Sequence, residues 1–303
     1  MSVHSGLLRK KEDYQRLILE HLRDDNGYQI RNAKNDFNPG LAMDPELLFS
    51  FLRATQSAAP EKLEKIYKEK IRNTILNVVN NEINKKNRGL LDVLKNGVDF
   101  GGGVKLDPMY RQPATSFNQK LNELYRHNIL SVMEEVYHKE NERVDLLIFL
   151  NGFALFAFEL KCNTTGQSVE DAIRQYKTGR DYKTRTFAFK SGILVSFAMD
   201  LKEVYMCTRL KGSSSFFLPF HRGNGEDIET GKGNPHNEDD INVSYMWEDI
   251  LKKDMVLYLL DNFIFIQKEV KKDSDTVQKK TEEKIVFPRY HQLNAVRRLR
   301  SCL

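Results

Sequence analysis

The chain has 303 residues, 40% of them hydrophobic, which suffices for one large domain or two ordinary ones around a real core and excludes a disordered chain. Its formal charge of +5 permits a polyanionic partner without requiring one, and the absence of any apolar run of signal-peptide or membrane-span length points to a globular, cytoplasmic protein. Cys162, Cys207 and Cys302 are far apart and form no CxxC pair, which argues against disulfides and thiolate metal sites, and the seven histidines form no ligand pair, so His127 and His138 read as ordinary polar residues rather than ligands.

Lys10 to Asp25 reads as an amphipathic helix with Leu17, Ile18, His21 and Leu22 on one side. Asp44-Pro45 starts a second helix in cap-then-proline order, and Pro60 to about Asn84 forms a third, longer one. Leu90 to Lys95 is a short helix stopped by Asn96-Gly97, and Val98 to Leu106 is an extended segment interrupted by Gly101-Gly102-Gly103. With no Gly-Lys-Ser/Thr ending and no capped helix after it, that triple glycine is a turn rather than a phosphate loop. Phe117 to His127 has helical pattern, and Ile129 to Tyr137 is a strand leading into the central feature.

Arg143 to Lys161, RVDLLIFLNGFALFAFELK, contains two apolar runs of strand length joined by Asn151-Gly152, a strong hairpin signal. Strands without polar alternation belong in the middle of a covered sheet, yet Asp145 sits inside the first, and Glu159 and Lys161 close the second. Glu159 and Lys161, two apart, share a face. A strict two-residue turn puts Asp145 opposite Phe158 and on the wrong face; an odd-length loop or a bulge near Asn151-Gly152 puts it opposite Glu159, and that irregularity is expected. Two facing carboxylates in apolar surroundings repel unless a cation lies between them. Oxygen ligands from Asp145, Glu159 and the Leu160 carbonyl would suit Mg²⁺ or Mn²⁺, and Lys161 beside them suits a reaction with an anionic transition state, such as phosphodiester hydrolysis. On these residues alone the alternative is a buried ion pair of Asp145 or Glu159 with Lys161, without chemistry.

Beyond Lys161, Asn163 to Gln167 is a polar loop and Ser168-Val-Glu-Asp171 a capping box that opens a helix. Basic residues along and after it, Arg174, Lys177, Arg180, Lys183 and Arg185, form either a solvated face or a strip that tracks phosphates. Ile193 to Met199 and Val204 to Thr208 extend the sheet, and His221 to Ile241 is a long surface loop. Tyr245 to about Val270 reads as one long buried helix, and the charged Lys271 to Lys284 as a linker; its Glu282-Glu283-Lys284 lacks apolar flanks and is discounted as a site.

Asp145, Glu159 and Lys161, in an Asp-x13-Glu-x-Lys spacing across an Asn-Gly turn, resemble the PD-(D/E)xK nuclease superfamily and in particular the R subunit of type I restriction enzymes, with Val144 where the name-giving proline would stand. Met43 to Leu48, Leu52 to Gln56, Asn118 to Val136, Asp171 to Asp181 and Phe287 to Val296 resemble further segments of those subunits. The resemblance implies an α/β fold with a mixed central sheet flanked by helices, an endonuclease domain over 1–270, a charged linker over 271–284, and the start of a superfamily-2 helicase motor over 285–303. It implies catalytic roles for Asp145, Glu159, Lys161 and Gln175, with Gly179 where a tyrosine is commoner, DNA contacts from Tyr176, Lys177 and Arg180, and adenine contacts from Arg289 and Gln292.

The implied activity is that of a type I site-specific deoxyribonuclease. Double-stranded DNA would be cut with Mg²⁺ (or Mn²⁺) inside a complex with modification (methyltransferase) and specificity subunits, after ATP-driven translocation by a motor lying beyond this fragment. Two other classes stay open: a non-catalytic DNA-binding or assembly module on a degenerate nuclease fold, and a stand-alone repair or junction-resolving nuclease.

Overall fold

The computed structural model describes residues 10–56, 58–59, 62, 68–223, 233–237, 240–272 and 279–301. Eleven strands are formed among them: β1 (Gln29–Arg31), β2 (Val98–Asp99), β3 (Lys105–Leu106), β4 (Leu130–Lys139), β5 (Glu142–Leu150), β6 (Phe153–Leu160), β7 (Val195–Met199), β8 (Val204–Cys207), β9 (Leu218–Pro219), β10 (Phe265–Lys272) and β11 (Lys279–Val286). Seven of these make one sheet in the order β1-β4-β5-β6-β7-β8-β9. The sheet is mixed, since β1 runs parallel to β4 and β6 parallel to β7 while the other neighbours are antiparallel. A mixed α/β architecture with this central sheet agrees with the expected nuclease-like fold.

β5 and β6 occupy the middle because nearly every residue in them is buried. Asn151 and Gly152 both have positive φ, 50° and 88°, as a tight hairpin turn requires. Gly152 is needed a second time: a Cβ there would lie 2.3 Å from the Asp44 carbonyl oxygen. The turn is the strict two-residue form, with Leu150 opposite Phe153, but the register then slips between Ile148 and Phe149. Leu155 is the inserted residue, and it and its neighbour Phe156 both join the same core cluster. Beyond the bulge Leu146 faces Phe158, so the next pair along is Asp145 with Glu159. The expected irregularity is therefore present, three residues past the turn.

Helices cover both faces. One face packs on α1 (Lys11–Asp24), α3 (Pro45–Gln56), α4 (Ile71–Asn84) and α5 (Leu90–Asn96), whose Ile18, Phe51, Ile75 and Leu94 join the large cluster with Phe156, Phe158 and Leu160, while α2 (Ala33–Asp36) lies on the other side, with Ala33 and the following Phe37 in the second cluster. α6 (Gln119–Arg126) precedes β4, and α7 (Val169–Thr178) covers the opposite face through Val169, Ala172 and Tyr176. The Ser168 capping box forms, with the Ser168 N–H donating to Asp171 at 3.0 Å. Of the long helix expected from Pro60, Ile71–Asn84 is α4; residues 60–61 and 63–67 lie outside the described residues, as do 224–232 and 238–239 of the surface loop.

The C-terminal third departs from expectation. The helix read over Tyr245 to Val270 is instead a π-helical turn at Met246–Ile250, α8 (Lys253–Asn262) and then β10. Lys95 Nζ donates to the carbonyls of Asp261 and Ile264, at 3.2 and 2.9 Å, which satisfies the end of α8 and lets the chain turn into a strand. The expected linker is largely strand as well: Lys279 to Lys284 belong to β11, paired antiparallel with β10, while residues 273–278 lie outside the described residues. A charged segment reads as linker by composition, but a partner ladder supplies its backbone hydrogen bonds. Ile285, Phe287, Tyr290 and Leu293, from β11 into α9 (Tyr290–Ser301), join the core under the sheet, with Phe287 edge-on to Phe156, Phe197 and Phe220. Among the described residues no helix is long and apolar enough to cross a membrane.

Candidate active site

Asp145, Glu159 and Lys161 share the sheet face covered by α7, and all three are buried. The Asp145 carboxylate accepts the Leu160 N–H at 2.7 Å with one oxygen and meets the Lys11 ammonium with the other. Glu159 Oε1 accepts from Arg180 Nη2, whereas Glu159 Oε2 is buried with no hydrogen-bond partner among the described residues. Lys161 Nζ donates to Gln175 Oε1 at 2.7 Å, so α7 supplies the group that fixes the lysine. Among the described residues neither acid pairs with Lys161: Asp145 meets Lys11 and Glu159 meets Arg180.

Glu159 is the electrostatic centre. Burial raises its pKa to about 8 and Asp145 raises it too, against the opposing pull of Arg180, Lys11 and Lys161. An acid held in this way is poised between proton and cation. Arg180 is fixed on several sides: Nη1 donates to the Arg143 carbonyl at 2.8 Å and to His138 Nε2 at 3.1 Å. Because arginine only donates, His138 Nε2 must accept, which leaves the proton on Nδ1, directed at Thr184 Oγ1 at 3.1 Å. Burial and Arg180 lower the His138 pKa to about 4, keeping that neutral tautomer at pH 7.

The other candidates taken from the resemblance are placed as follows. Tyr176 is fully buried, with its hydroxyl 3.4 Å from the Phe197 carbonyl and its ring 5.9 Å from the Arg180 guanidinium, so in this structure it belongs to the core. Arg180 turns inward to Glu159 instead of outward to a phosphate. Of the three DNA-contact candidates only Lys177 is partly exposed. Arg289 and Gln292 lie far along the chain from this cluster and serve each other: the Arg289 N–H donates to Gln292 Oε1 at 3.0 Å, capping the start of α9.

Lys11 and His138 were missed. His138 left no signal, since a histidine in a strand reads alike wherever its ring goes. Lys11 left one: it precedes Tyr14, Gln15, Ile18 and Leu22 at helical spacing, on the stripe that is buried. A lysine on a buried stripe implies an acid within reach.

The oxygen donors suit a hard cation, and the orphaned Glu159 Oε2 is the atom such an ion would satisfy. Among the described residues no three His, Cys, Asp or Glu side chains cluster as a metal site, so binding would rest on Asp145, Glu159 and backbone or solvent oxygen.

Comparison with known proteins converges on the same stretch. The family model for the type I restriction enzyme R protein N terminus matches residues 9–215. A protein of Methanocaldococcus jannaschii named as a type I restriction enzyme endonuclease subunit is 23% identical over 269 residues, covering 80% of this chain. The chain spans 25% of that relative's length.

Proposed function

The chain belongs to the family of type I restriction enzyme R protein N termini, a match over more than half its length, and from that premise we propose that it is a metal-dependent endonuclease domain that hydrolyses DNA phosphodiester bonds. The observation that carries this reading is the convergence of Asp145 and Glu159 across neighbouring strands, with one buried Glu159 oxygen lacking a partner among the described residues. Asp145, Glu159 and the Leu160 carbonyl would hold Mg²⁺ or Mn²⁺, which when bound supplies Lewis acidity towards water and phosphate oxygen. The Leu160 N–H orients Asp145. Arg180, braced by neutral His138, orients Glu159. Gln175 holds the Lys161 ammonium on the same face, where it stabilises negative charge that grows on the phosphoryl group. Cleavage would take place within a complex that includes modification and specificity subunits and an ATP-driven motor.

Calorimetric titration of Mg²⁺ or Mn²⁺ into the wild type and Asp145→Ala tests the site. Loss of binding in the variant, with plasmid nicking reduced at least about a hundredfold, is expected; equal heats reject it. One observation favours the non-catalytic reading: each acid already faces a cation, Lys11 on Asp145 and Arg180 on Glu159. Absence of metal heats in the wild type would establish that reading.

A further inference from the structure

The two cations beside the acids are held in different ways. Arg180 has 2% side-chain exposure and is tied to Glu159, the Arg143 carbonyl and His138, so it is held by three buried contacts at once. Lys11 is 24% exposed, and its ammonium meets Asp145 from the first residue of α1. The helix is anchored independently of that contact: the Tyr14 hydroxyl donates to the Asp200 carbonyl at 3.1 Å, and Gln15 Nε2 donates to Glu134 at 2.8 Å. Rotation of the Lys11 side chain alone would therefore release Asp145 with the α1 backbone in place.

We infer that Lys11 is an internal stand-in for the divalent cation, neutralising Asp145 in the metal-free protein and displaced from it when metal binds. A carboxylate as buried as Asp145 is costly without a counter-charge. A divalent ion shared by Asp145 and Glu159 removes that cost and repels the ammonium, the more exposed of these two cations. Once displaced, Lys11 stands at the solvent side of the site, where an approaching phosphodiester is its natural partner. This inference rests on the metal-dependent reading proposed above.

The test is calorimetry of Mg²⁺ binding to the full chain and to Lys11→Met, without DNA. Removal of the competing ammonium is expected to tighten Mg²⁺ binding by about tenfold or more. It should also lower the metal-free melting midpoint and make Mg²⁺ raise that midpoint further than in the wild type. Equal or weaker affinity in Lys11→Met, with the wild type binding metal, overturns the assignment of Lys11 alone; no heat from either protein overturns the metal site and this inference together. Acetylation of the wild type followed by mass spectrometry gives a readout that needs no variant. Lys11 should be protected without metal and labelled with Mg²⁺, and labelling unchanged by metal overturns the inference.

Discussion

Glu159-Leu160-Lys161 closes β6 in the middle of the seven-stranded sheet, and Glu282-Glu283-Lys284 lies on β11 of a two-stranded ribbon. The residue types are alike, yet their electrostatics are opposite. In β6 the glutamate is sealed beneath α7 against a second acid, and its pKa rises. On the ribbon Glu283 takes a hydrogen bond from Lys190 at 2.7 Å, which lowers its pKa, while Lys284 pairs with Glu269 at 3.0 Å in an exposed position. The difference lies in what covers the strand: a layer of helix removes water from one glutamate, and solvent screens the other.

The largest effect expected from that contrast is for Arg180→Met, which leaves Glu159 buried without its fixed cation. Urea unfolding at pH 8 should show a loss of about 3–5 kcal/mol, less at pH 6, where Glu159 can take up a proton. A loss no greater than that of a surface substitution would mean that the Glu159 pocket is wet.

An intermediate effect is expected from pH, with opposite signs in the two regions. Glu159 has a folded pKa of about 8, above its ordinary value of 4.5, so the folded state holds more protons between them, and metal-free stability contributed by this group falls as pH rises through that window. Mg²⁺ affinity should rise over the same window, because metal and proton compete for one carboxylate. For Glu283, lowered below 4.5, the contribution is present above that value and is lost as pH falls through its folded pKa. Unfolding of Glu159→Gln between pH 5 and 8 should lack the first slope; an unchanged slope would assign it to another group.

The smallest effect belongs to Lys284→Met, which removes an exposed ion pair and should cost under about 1 kcal/mol with metal binding unaltered. A larger loss would show that the ribbon depends on its charges rather than on the anchoring of Ile285 and Phe287.

Much of the site was legible because its signals are local. Asn151-Gly152 announced the hairpin, the capping box at Ser168 placed α7, and the two-residue period forced the choice between a wrong-faced Asp145 and a bulge. Gln175, singled out through the family resemblance, accepts a hydrogen bond from Lys161. Arg180 was misread because an arginine after a basic helix has the same sequence signature whether its side chain turns outward or inward. The segment after Tyr245 failed for a related reason: apolar residues spread around a helix and apolar residues in a half-covered strand look alike until a partner strand is found.

By itself the sequence determined the central hairpin, the shared face of Glu159 and Lys161, and the need for an irregular register, since strand periodicity and turn chemistry act over a few residues. Only the tertiary structure decided which cation each acid received. Lys11 comes to Asp145 across 134 residues and Arg180 to Glu159 across 21, and such pairings follow from how α1 and the segment after α7 lie on the sheet. In the low-dielectric space between helix and sheet, an acid's charge state depends on which side chains packing brings beside it, and no pattern within its own strand encodes that.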